Sequence, residues 1–372
     1  MARTRRQKSA QSDFFPGFTD VVEIGTGSLA TVYRAREMGT NRLVALKLLN
    51  VRDASPRAIE SFERESVALG AVSSHPNIVT LYRSFRAADG RPVLVLELCT
   101  RSIADGMNGQ NGVGLPAPEV VSLGIKIAAA LETAHRAQIL HRDVKPQNIL
   151  ITEYGEPALA DFGVAMLQSS TQTTAGLFDF TTLHAAPELL EGRETSAATD
   201  VYELASTLYQ LVAGRSAFRA FDGESPASVI LRILRDPVQP VIDSAVPPPL
   251  SDLLVGAMSK DKSDRPASAA DFAAHLLGIE ASQGWPRTHF LIRDASGAPA
   301  PLPTAAPPRE PVPPAPPPQQ SATLAQWSAP VAGPPPPPVA QAPSPPPAPR
   351  VPFDLDAWAP ETTQWSVPTV SR

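Results

Sequence analysis

The residues from His141 to Asn148, H-R-D-V-K-P-Q-N, bring together side chains that suit the transfer of a phosphoryl group. Asp143 supplies a carboxylate that can accept the proton of an attacking hydroxyl, and Lys145 supplies a cation that can offset charge on the phosphate. Asn148 supplies an amide oxygen of the kind that binds hard divalent metals. Pro146 lies between them and favours a loop over a helix. A solvated charged turn is the plainer interpretation of the same segment.

A glycine-containing turn between two predicted strands is the second feature that could bind phosphate. Strand character from Phe18 to Arg36 is interrupted at Gly25-Thr26-Gly27, where backbone amides can close over phosphate oxygens without a side chain in the way. Lys47 follows in an apolar run that begins at Val44, where its charge would be costly without an anion or a carboxylate partner. A plain hairpin is the alternative interpretation of the glycines alone.

Several short motifs follow one another along the chain. They are Gly25-Thr26-Gly27 with Val32, Val44-Ala45-Leu46-Lys47, H-R-D-V-K-P-Q-N, Asp161-Phe162-Gly163 and Ala186-Pro187-Glu188. The sequence resembles a bacterial, eukaryotic-like (Hanks-type) Ser/Thr protein kinase, in a soluble form with a proline-rich C-terminal tail. The resemblance implies an α+β, two-lobed fold, with a small antiparallel β lobe that carries one main helix and a large, mostly α-helical lobe. It also implies an enzyme of signal transduction that transfers the γ-phosphate of ATP to Ser or Thr hydroxyls of proteins, with Mg²⁺ as cofactor and Mn²⁺ as its substitute.

By this resemblance, the polar residues of the catalytic loop have separate roles in the transfer. Asp143 would orient the substrate hydroxyl, and Lys145 would offset charge on the γ-phosphate. Asn148 would help Asp161 to bind Mg²⁺. The triplet that begins at Asp161 could recur by chance, but its place after the catalytic loop and a short apolar run makes it specific.

The resemblance also implies an ATP site. Lys47 would position the α and β phosphates and pair with Glu65, on a helix predicted between Pro56 and Val72. Leu96 would be the gatekeeper. The backbones of the hinge residues Glu97 and Cys99 would meet adenine, and the side chains of Val32, Ala45 and Leu150 would sandwich its ring. The implied ATP-binding set is Gly25, Thr26, Gly27, Val32, Ala45, Lys47, Glu65, Glu97, Cys99 and Leu150. Ordinary core packing is the alternative for the apolar members, and a surface charge is the alternative for Glu65.

Three further contacts are expected to support this site. Phe162 would pack near His141, and Glu188 would pair with Arg265 in D-K-S-D-R-P. Asp200 would brace the backbone of the catalytic loop. The cap of the following helix is an alternative role for Asp200, and one residue can serve both.

The segment between Gly163 and Ala186 is expected to control activity. A phosphate added there could be held by Arg142 through charge-assisted hydrogen bonds, which predicts autophosphorylation of this segment. The candidate phosphosites are Ser169, Ser170, Thr171, Thr173 and Thr174. A polar flexible loop has the same composition and is the alternative interpretation.

The sequence departs from the family pattern at a few positions. Ala30 stands where the third glycine of the loop is usual, and His184 stands where an aromatic residue usually precedes Ala186-Pro187-Glu188. Gln147 stands where arginine-directed kinases often have glutamate, so no preference for basic substrates is predicted. These departures leave one alternative function, a catalytically impaired pseudokinase scaffold that presents the tail to partners. A small-molecule phosphotransferase is disfavoured by the expected Glu188 and Arg265 pair.

Composition predicts how the 372 residues are divided. Most of the 42 prolines lie after Glu280, where apolar periodicity also disappears. We expect a disordered basic arm at residues 1–17, a kinase domain at 18–280 and a disordered proline-rich tail at 281–372. Within the domain, residues 18–99 are the expected small lobe with hinge and residues 100–280 the expected large lobe.

The net charge and the cysteine content limit the expected classes of binding partner and the expected cellular compartment. The net charge of −5 gives no general case for nucleic-acid binding. Cys99 is the only cysteine, which excludes an intrachain disulfide and favours a reducing cytoplasm. Polar residues follow the basic N-terminus where a signal peptide needs an apolar run, and no apolar run is long enough for a membrane span.

The tail contains a near-repeat, Gln326-Trp327-Ser328-Ala329-Pro330 and Gln364-Trp365-Ser366-Val367-Pro368. Exposed tryptophans are unfavourable without a partner, so we interpret the repeats as short docking motifs. Expected partners are protein substrates, a tail-binding protein or a domain that reads phosphothreonine. A solvated spacer is the alternative interpretation of the tail.

Overall fold

The computed structural model describes residues 14–27, 30–50, 66–67, 69–107, 112–162, 183–219, 221 and 224–292. A small lobe built on one antiparallel sheet precedes a large, mostly helical lobe, as the resemblance implies. The sheet has the strand order β1-β2-β3-β5-β4. Its strands are β1 (Phe18–Thr26), β2 (Ala30–Glu37), β3 (Leu43–Leu49), β4 (Leu81–Arg86) and β5 (Pro92–Glu97).

Strand β3 lies in the middle of this sheet and is covered on both faces. Val44, Leu46 and Leu48 alternate along one face and pack in the small-lobe core. Lys47 points to the other face and is only 5% exposed. In register, Lys47 lies opposite Val32 on β2 and Leu94 on β5. The sheet therefore places the lysine in an apolar setting, as its sequence context predicts.

The large lobe packs around two helices that are buried on most sides. The helices are α1 (Ile103–Met107), α2 (Ala117–Arg136), α3 (Pro187–Leu190), α4 (Ala197–Ala213), α5 (Pro226–Arg235), α6 (Pro248–Ala257) and α7 (Ala269–Ser282). Helices α2 and α4 each supply more buried residues to the large-lobe core than any other element. Gly124 of α2 lets the helices approach closely, because a Cβ there would lie 2.7 Å from Leu208 of α4 and 2.9 Å from Leu276 of α7.

A small second sheet presents the catalytic loop. Its strands are β6 (Arg101–Ser102), β7 (Ile149–Ile151) and β8 (Pro157–Leu159), in the order β6-β7-β8. The two apolar runs at Ile149–Ile151 and Pro157–Ala160 predict a short hairpin before Asp161, and the pairing of β7 with β8 confirms it. The Gly, Asn and Ser content of the segment from Arg101 to Pro118 predicts a flexible surface stretch. Instead, β6 and α1 lie there and Ile103 is 2% exposed.

Helix α4 begins earlier than predicted. The amphipathic pattern of Thr199-Asp200-Val201-Tyr202-Glu203-Leu204 predicts a helix that starts at Thr199, whereas the helix begins at Ala197 with Ser196 at its N-cap. The hydroxyl of Thr199 accepts a hydrogen bond from the Ser196 N–H at 3.0 Å and donates to Glu188 at 2.8 Å. Thr199 therefore satisfies an orphan amide of the helix terminus and leaves Asp200 for another role.

Both predicted ends of the folded domain need correction. Before residue 18, Phe15 is 2% exposed and its ring lies 5.1 Å from that of Tyr33, so the predicted basic arm extends too far. After residue 280, Gly284 adopts φ +66° and turns the chain back onto the large lobe. Ile292 is 4% exposed, and residues 283–292, here called the C-terminal segment, belong to the packed structure.

The C-terminal segment is held by one buried carboxylate and one buried imidazole. Glu280 accepts hydrogen bonds from the Thr288 backbone N–H at 2.8 Å and from its hydroxyl at 2.5 Å. His75 Nδ1 accepts from the Asn77 N–H at 3.0 Å, so Nε2 carries the proton and donates to the carbonyl of Leu291 at 2.8 Å. The segment thus connects the end of the large lobe to the turn before β4.

No helix in the described ranges combines the length and the apolar composition that crossing a bilayer requires.

We predict that Thr288→Val destabilises the protein by about 1–3 kcal/mol, because the buried Glu280 carboxylate loses a hydrogen-bond donor. Urea unfolding measures the change as a shift in midpoint with an unchanged m-value. His289→Ala is the matched control, since His289 is an exposed neighbour in the same segment. Equal midpoints for the two variants would show that the hydroxyl of Thr288 contributes nothing measurable to stability.

Candidate active site

Of the three side chains expected to carry out the transfer, two contact the same carboxylate oxygen of the third. Asp143 Oδ2 lies 2.9 Å from Lys145 Nζ and accepts a hydrogen bond from Asn148 Nδ2 at 2.9 Å. A 3₁₀ turn at Pro146–Asn148 brings Asn148 back to Asp143. The second oxygen of the carboxylate can accept from a substrate hydroxyl, while Asn148 keeps its amide oxygen for another ligand.

Asp200 holds the backbone of the catalytic loop, as predicted. Its Oδ2 accepts from the N–H of His141 at 2.9 Å and its Oδ1 accepts from the N–H of Arg142 at 2.7 Å. His135 Nε2 lies 2.6 Å from the same carboxylate. Arg142 has φ +64°, a strained conformation for a residue with a side chain, which costs of order 1–3 kcal/mol and needs such support.

Two further residues of α4 hold the loop, and sequence reasoning missed both. Glu203 accepts a hydrogen bond from the Val144 N–H at 2.8 Å, and the hydroxyl of Thr207 donates to the Val144 carbonyl at 3.1 Å. The available signal was Glu203 itself, a charged residue one helical turn after Asp200 in a strongly apolar helix.

The pKa values of the two buried carboxyl groups of α4 are shifted in opposite directions. Burial, and then the charge of Asp200, raise the pKa of Glu203 well above its usual range. Burial also disfavours ionisation of Asp200, but the hydrogen bond and the charge of His135 outweigh it and lower the pKa of Asp200. Asp200 is therefore the ionised member of the pair, and Glu203 holds its proton to higher pH.

Lys47 makes an ion pair with the predicted metal ligand Asp161. The Nζ to Oδ1 distance is 2.5 Å, and the Asp161 side chain is 36% exposed. Desolvation opposes ionisation of Asp161, but the Lys47 ammonium outweighs it and lowers the pKa of that carboxyl. Asp161 has φ +67°. The predicted partner Glu65 lies outside the described residues, so the Lys47 and Glu65 pair stays a prediction.

His141 connects the catalytic loop to the residues around Asp161. Its Nδ1 accepts from the Asp143 N–H at 3.3 Å, and its Nε2 donates to the carbonyl of Ala160 at 2.7 Å. Burial lowers the pKa of His141, which keeps the ring neutral in this tautomer. The predicted contact with Phe162 is confirmed, since the two ring centroids lie 4.6 Å apart.

An apolar cavity lies beside Lys47 and Asp161. The other residues that line it are Leu69, Val79, Leu94, Leu96, Leu159, Ala160 and Phe162. The predicted gatekeeper, Leu96, is thus at the cavity, and Ala45 lies opposite it in register. Cys99 and Leu150 pack with Leu96 against the cluster of Val79, Ala158 and Ala160. This arrangement brings the expected adenine-binding residues of the hinge and β7 to one place.

The two hinge residues differ in their contacts. The Glu97 N–H donates to the Thr80 carbonyl at 2.9 Å, and the Thr80 hydroxyl donates to the Glu97 carboxylate at 3.1 Å. Burial, and then the charge of Glu97, raise the pKa of the Cys99 thiol to about 12. Cys99 is therefore a neutral, half-buried thiol.

The glycine turn is described on both sides of residues 28–29. Gly25 and Thr26 end β1, and the Gly27 N–H donates to the Ala30 carbonyl at 2.9 Å. A Cβ built at Gly25 would meet no atom of the described residues within 4 Å, so packing against them does not explain that glycine. Ala30, at the position of the usual third glycine, is buried with Leu49 and Leu94. Its methyl group therefore has a packing role.

The candidate phosphosites lie outside the described residues. They are Ser169, Ser170, Thr171, Thr173 and Thr174. Arg142 Nε is buried and has no hydrogen-bond partner among the residues that the structure describes. His184, one of the departures from the family pattern, is 3% exposed and bonds to the hydroxyl of Ser206 at 3.0 Å. Burial lowers its pKa to about 4, so His184 is a neutral core residue.

The predicted pair of Glu188 and Arg265 is confirmed. Arg265 Nη1 and Nη2 donate to the two oxygens of Glu188 at 2.7 and 2.9 Å. Both side chains are almost fully buried. Arg265 also donates to three backbone carbonyls, of Ser259, Ala198 and Lys260. A buried pair with its remaining donors satisfied is the arrangement in which mutual attraction offsets desolvation.

A family model described as the protein kinase domain matches residues 18–277. The serine/threonine-protein kinase PknK of Mycobacterium tuberculosis is 38% identical over 268 residues, which is 72% of this chain and 24% of that protein. The probable serine/threonine-protein kinase CPE1738 of Clostridium perfringens is 34% identical over 261 residues, 69% of this chain and 37% of that protein. PknA of Mycobacterium tuberculosis, also a serine/threonine-protein kinase, is 30% identical over 292 residues, 77% of this chain and 66% of that protein.

We predict that Glu203→Gln becomes progressively more stable than the intact chain as pH rises from about 5 to 8. A carboxyl whose folded-state pKa is raised contributes its full stability below the unfolded-state pKa of about 4.3 and loses it as pH rises through the folded-state value. The amide does not ionise beside the carboxyl groups that face this site, those of Asp200, Asp143 and Glu188. Thermal melts across this range measure the difference in Tm. A difference that is independent of pH would contradict the raised pKa of Glu203.

Proposed function

The chain belongs to the protein kinase domain family, and from that premise we propose that it transfers the γ-phosphate of ATP to Ser or Thr hydroxyls of proteins. Members of this family use ATP and a divalent metal. The observation that carries the proposal is the convergence of Lys145 and Asn148 on Asp143, in a loop connected through His141 to Asp161 and Lys47. These are the groups that phosphoryl transfer requires.

In the proposed reaction, Asp143 accepts a hydrogen bond from the substrate hydroxyl and orients it for attack. Lys145 neutralises charge on the transferred group, and Lys47 holds the phosphates of ATP together with Glu65. Asp161 and Asn148 fit a hard metal, since one offers a partly exposed carboxylate and the other uses its amide nitrogen on Asp143, which leaves its oxygen for a ligand. Mg²⁺, or Mn²⁺ in its place, would be held by these two residues and would offset the charge of the ATP phosphates when bound.

The proposed nucleotide site follows the apolar cavity and the glycine turn. The open space at Gly25 supports an approach of phosphate oxygens to the backbone there. Adenine would lie near Leu96 and the hinge, and the residues proposed to contact the nucleotide are Gly25, Thr26, Gly27, Val32, Ala45, Lys47, Glu65, Glu97, Cys99 and Leu150. No contact among the described residues favours the pseudokinase alternative.

We further propose control through the segment between Gly163 and Ala186, where a phosphate on one of its hydroxyls would pair with Arg142. The buried Nε of Arg142 supports this, because a buried donor needs an acceptor and none is found among the described residues. A cytoplasmic setting is proposed from the single, unpaired Cys99. The tail and its tryptophan repeats are proposed to bind protein partners, and the chain's substrates are proposed to be proteins.

The test of the proposed function is transfer of label from γ-labelled ATP with Mg²⁺ to a generic protein substrate and to the chain itself. We predict that Asp143→Asn lowers kcat about 10²- to 10⁴-fold, the usual contribution of a positioned acid or base. ATP binding, measured by calorimetry, should change little. Asp252→Asn is the matched control, because Asp252 is exposed on α6.

Two results would contradict the proposal in different ways. A folded intact chain that binds ATP and transfers no phosphate would support the scaffold alternative. Full activity of Asp143→Asn would show that another group orients the hydroxyl.

A further inference from the structure

We propose that Glu203 and Thr207 are positioning residues for phosphoryl transfer, because they hold the two peptide groups that connect Asp143 to Lys145. The inference rests on the proposed function and extends it to two residues for which the loop motif gives no role. It assigns to α4 a second pair of contacts with the catalytic loop, beyond the two amides held by Asp200.

The peptide group between Asp143 and Val144 is held at both ends. Its carbonyl oxygen accepts from Asn148 Nδ2 at 2.8 Å, and its N–H donates to Glu203 Oε2 at 2.8 Å. A planar peptide held at both ends has little freedom to rotate. The direction in which the Asp143 side chain leaves the backbone therefore depends on Glu203.

The next peptide group, between Val144 and Lys145, is held by Thr207. Its carbonyl oxygen accepts from the Thr207 hydroxyl at 3.1 Å. The side chain of Val144 is fully buried and belongs to the core of the large lobe. Helix α4 therefore holds both peptide groups that precede Lys145. The ammonium of Lys145 lies 2.9 Å from Asp143.

The three contact residues of α4 lie on one face of the helix. Asp200, Glu203 and Thr207 are separated by one turn each, which is the spacing of residues that face the same neighbour. Glu203 is 2% exposed and Thr207 is fully buried. Buried polar groups in an apolar helix are costly unless their hydrogen bonds are made, and here both are made to the catalytic loop.

The role of Glu203 is to accept a hydrogen bond, and it does not need a negative charge. A neutral carboxyl group keeps a carbonyl oxygen that can accept from the Val144 N–H. The raised pKa of Glu203 agrees with this state. A carboxamide offers the same acceptor, whereas an alkyl side chain of similar size offers none. The two substitutions separate positioning from charge.

The experiment compares Glu203→Gln with Glu203→Leu, and Thr207→Ser with Thr207→Val, in the full chain. We expect Glu203→Leu and Thr207→Val to lower kcat at least tenfold, since a displacement of about 1 Å at a reacting group costs on the order of 10²-fold. Their KM for ATP should stay within about threefold, because the nucleotide is held by other residues. Glu203→Gln and Thr207→Ser should retain kcat within about threefold.

Tyr209→Phe is the matched control. Tyr209 lies on the same helix and donates its hydroxyl to the Gln239 carbonyl at 3.0 Å, away from the catalytic loop. It should lose stability comparably while kcat per folded molecule stays unchanged. This comparison separates positioning from a general loss of stability in α4.

A second measurement does not depend on activity. Amide hydrogen exchange at Val144, read by NMR, should accelerate at least tenfold in Glu203→Leu and stay within about threefold of the intact chain in Glu203→Gln. An intact chain without transfer activity would refute the proposed function, and this exchange would still decide whether Glu203 holds the loop. Unchanged kcat and unchanged Val144 exchange in Glu203→Leu would overturn the inference. An equal loss of kcat in Glu203→Gln and Glu203→Leu would overturn it as well, since it would assign the effect to charge.

Discussion

The rest of the site depends on the hydrogen bonds that the buried carboxylate of Asp200 accepts from the catalytic loop. Two successive backbone amides of the catalytic loop point at it, and one of them belongs to Arg142, whose φ of +64° is unfavourable without support. Hydrogen bonds to an ionised acceptor are stronger than neutral ones, and burial in a helix of the core removes competing water. Asp200 can hold a strained loop for this reason. The strain is local, and the support comes from the most buried part of the large lobe.

From Asp200 the contacts continue to the other half of the site. The loop residue His141 bonds to the Ala160 carbonyl and packs against Phe162, the residue after Asp161. Asp161 then pairs with Lys47 of β3, a strand of the small lobe. The side chains proposed to act on the hydroxyl and those proposed to act on the phosphates are therefore connected through one continuous set of contacts. Lys47 is tolerated in an apolar strand because its ammonium makes the ion pair with Asp161.

Much of the fold and most of the described site residues could be predicted from the sequence, for identifiable physical reasons. The chemistry of the loop depends on side chains close together in the chain, and the helical stripe of α2 is a local pattern. Glu203 was missed although the predicted role of Asp200 marks the face of α4 that meets the loop, because the partner of Glu203 is a backbone amide and no residue type in the loop motif reveals that contact. Thr288 and Glu280 were missed because a left-handed Gly284 reverses the chain, and Gly284 stands in a segment that composition assigns to the tail. Ala30 was interpreted as a departure in the phosphate loop, whereas its methyl group packs in the sheet.

The measurement that tests this account most directly is amide hydrogen exchange at His141 and Arg142 in the intact chain and in Asp200→Asn. The account predicts slow exchange of both amides in the intact chain, close to the rates of buried helical amides in α2, because both N–H groups bond to a buried carboxylate. In Asp200→Asn both should exchange faster while the amides of α2 keep their protection. Rapid exchange of His141 and Arg142 in the intact chain, at the rate of an exposed loop, would contradict the claim that α4 holds the catalytic loop in place.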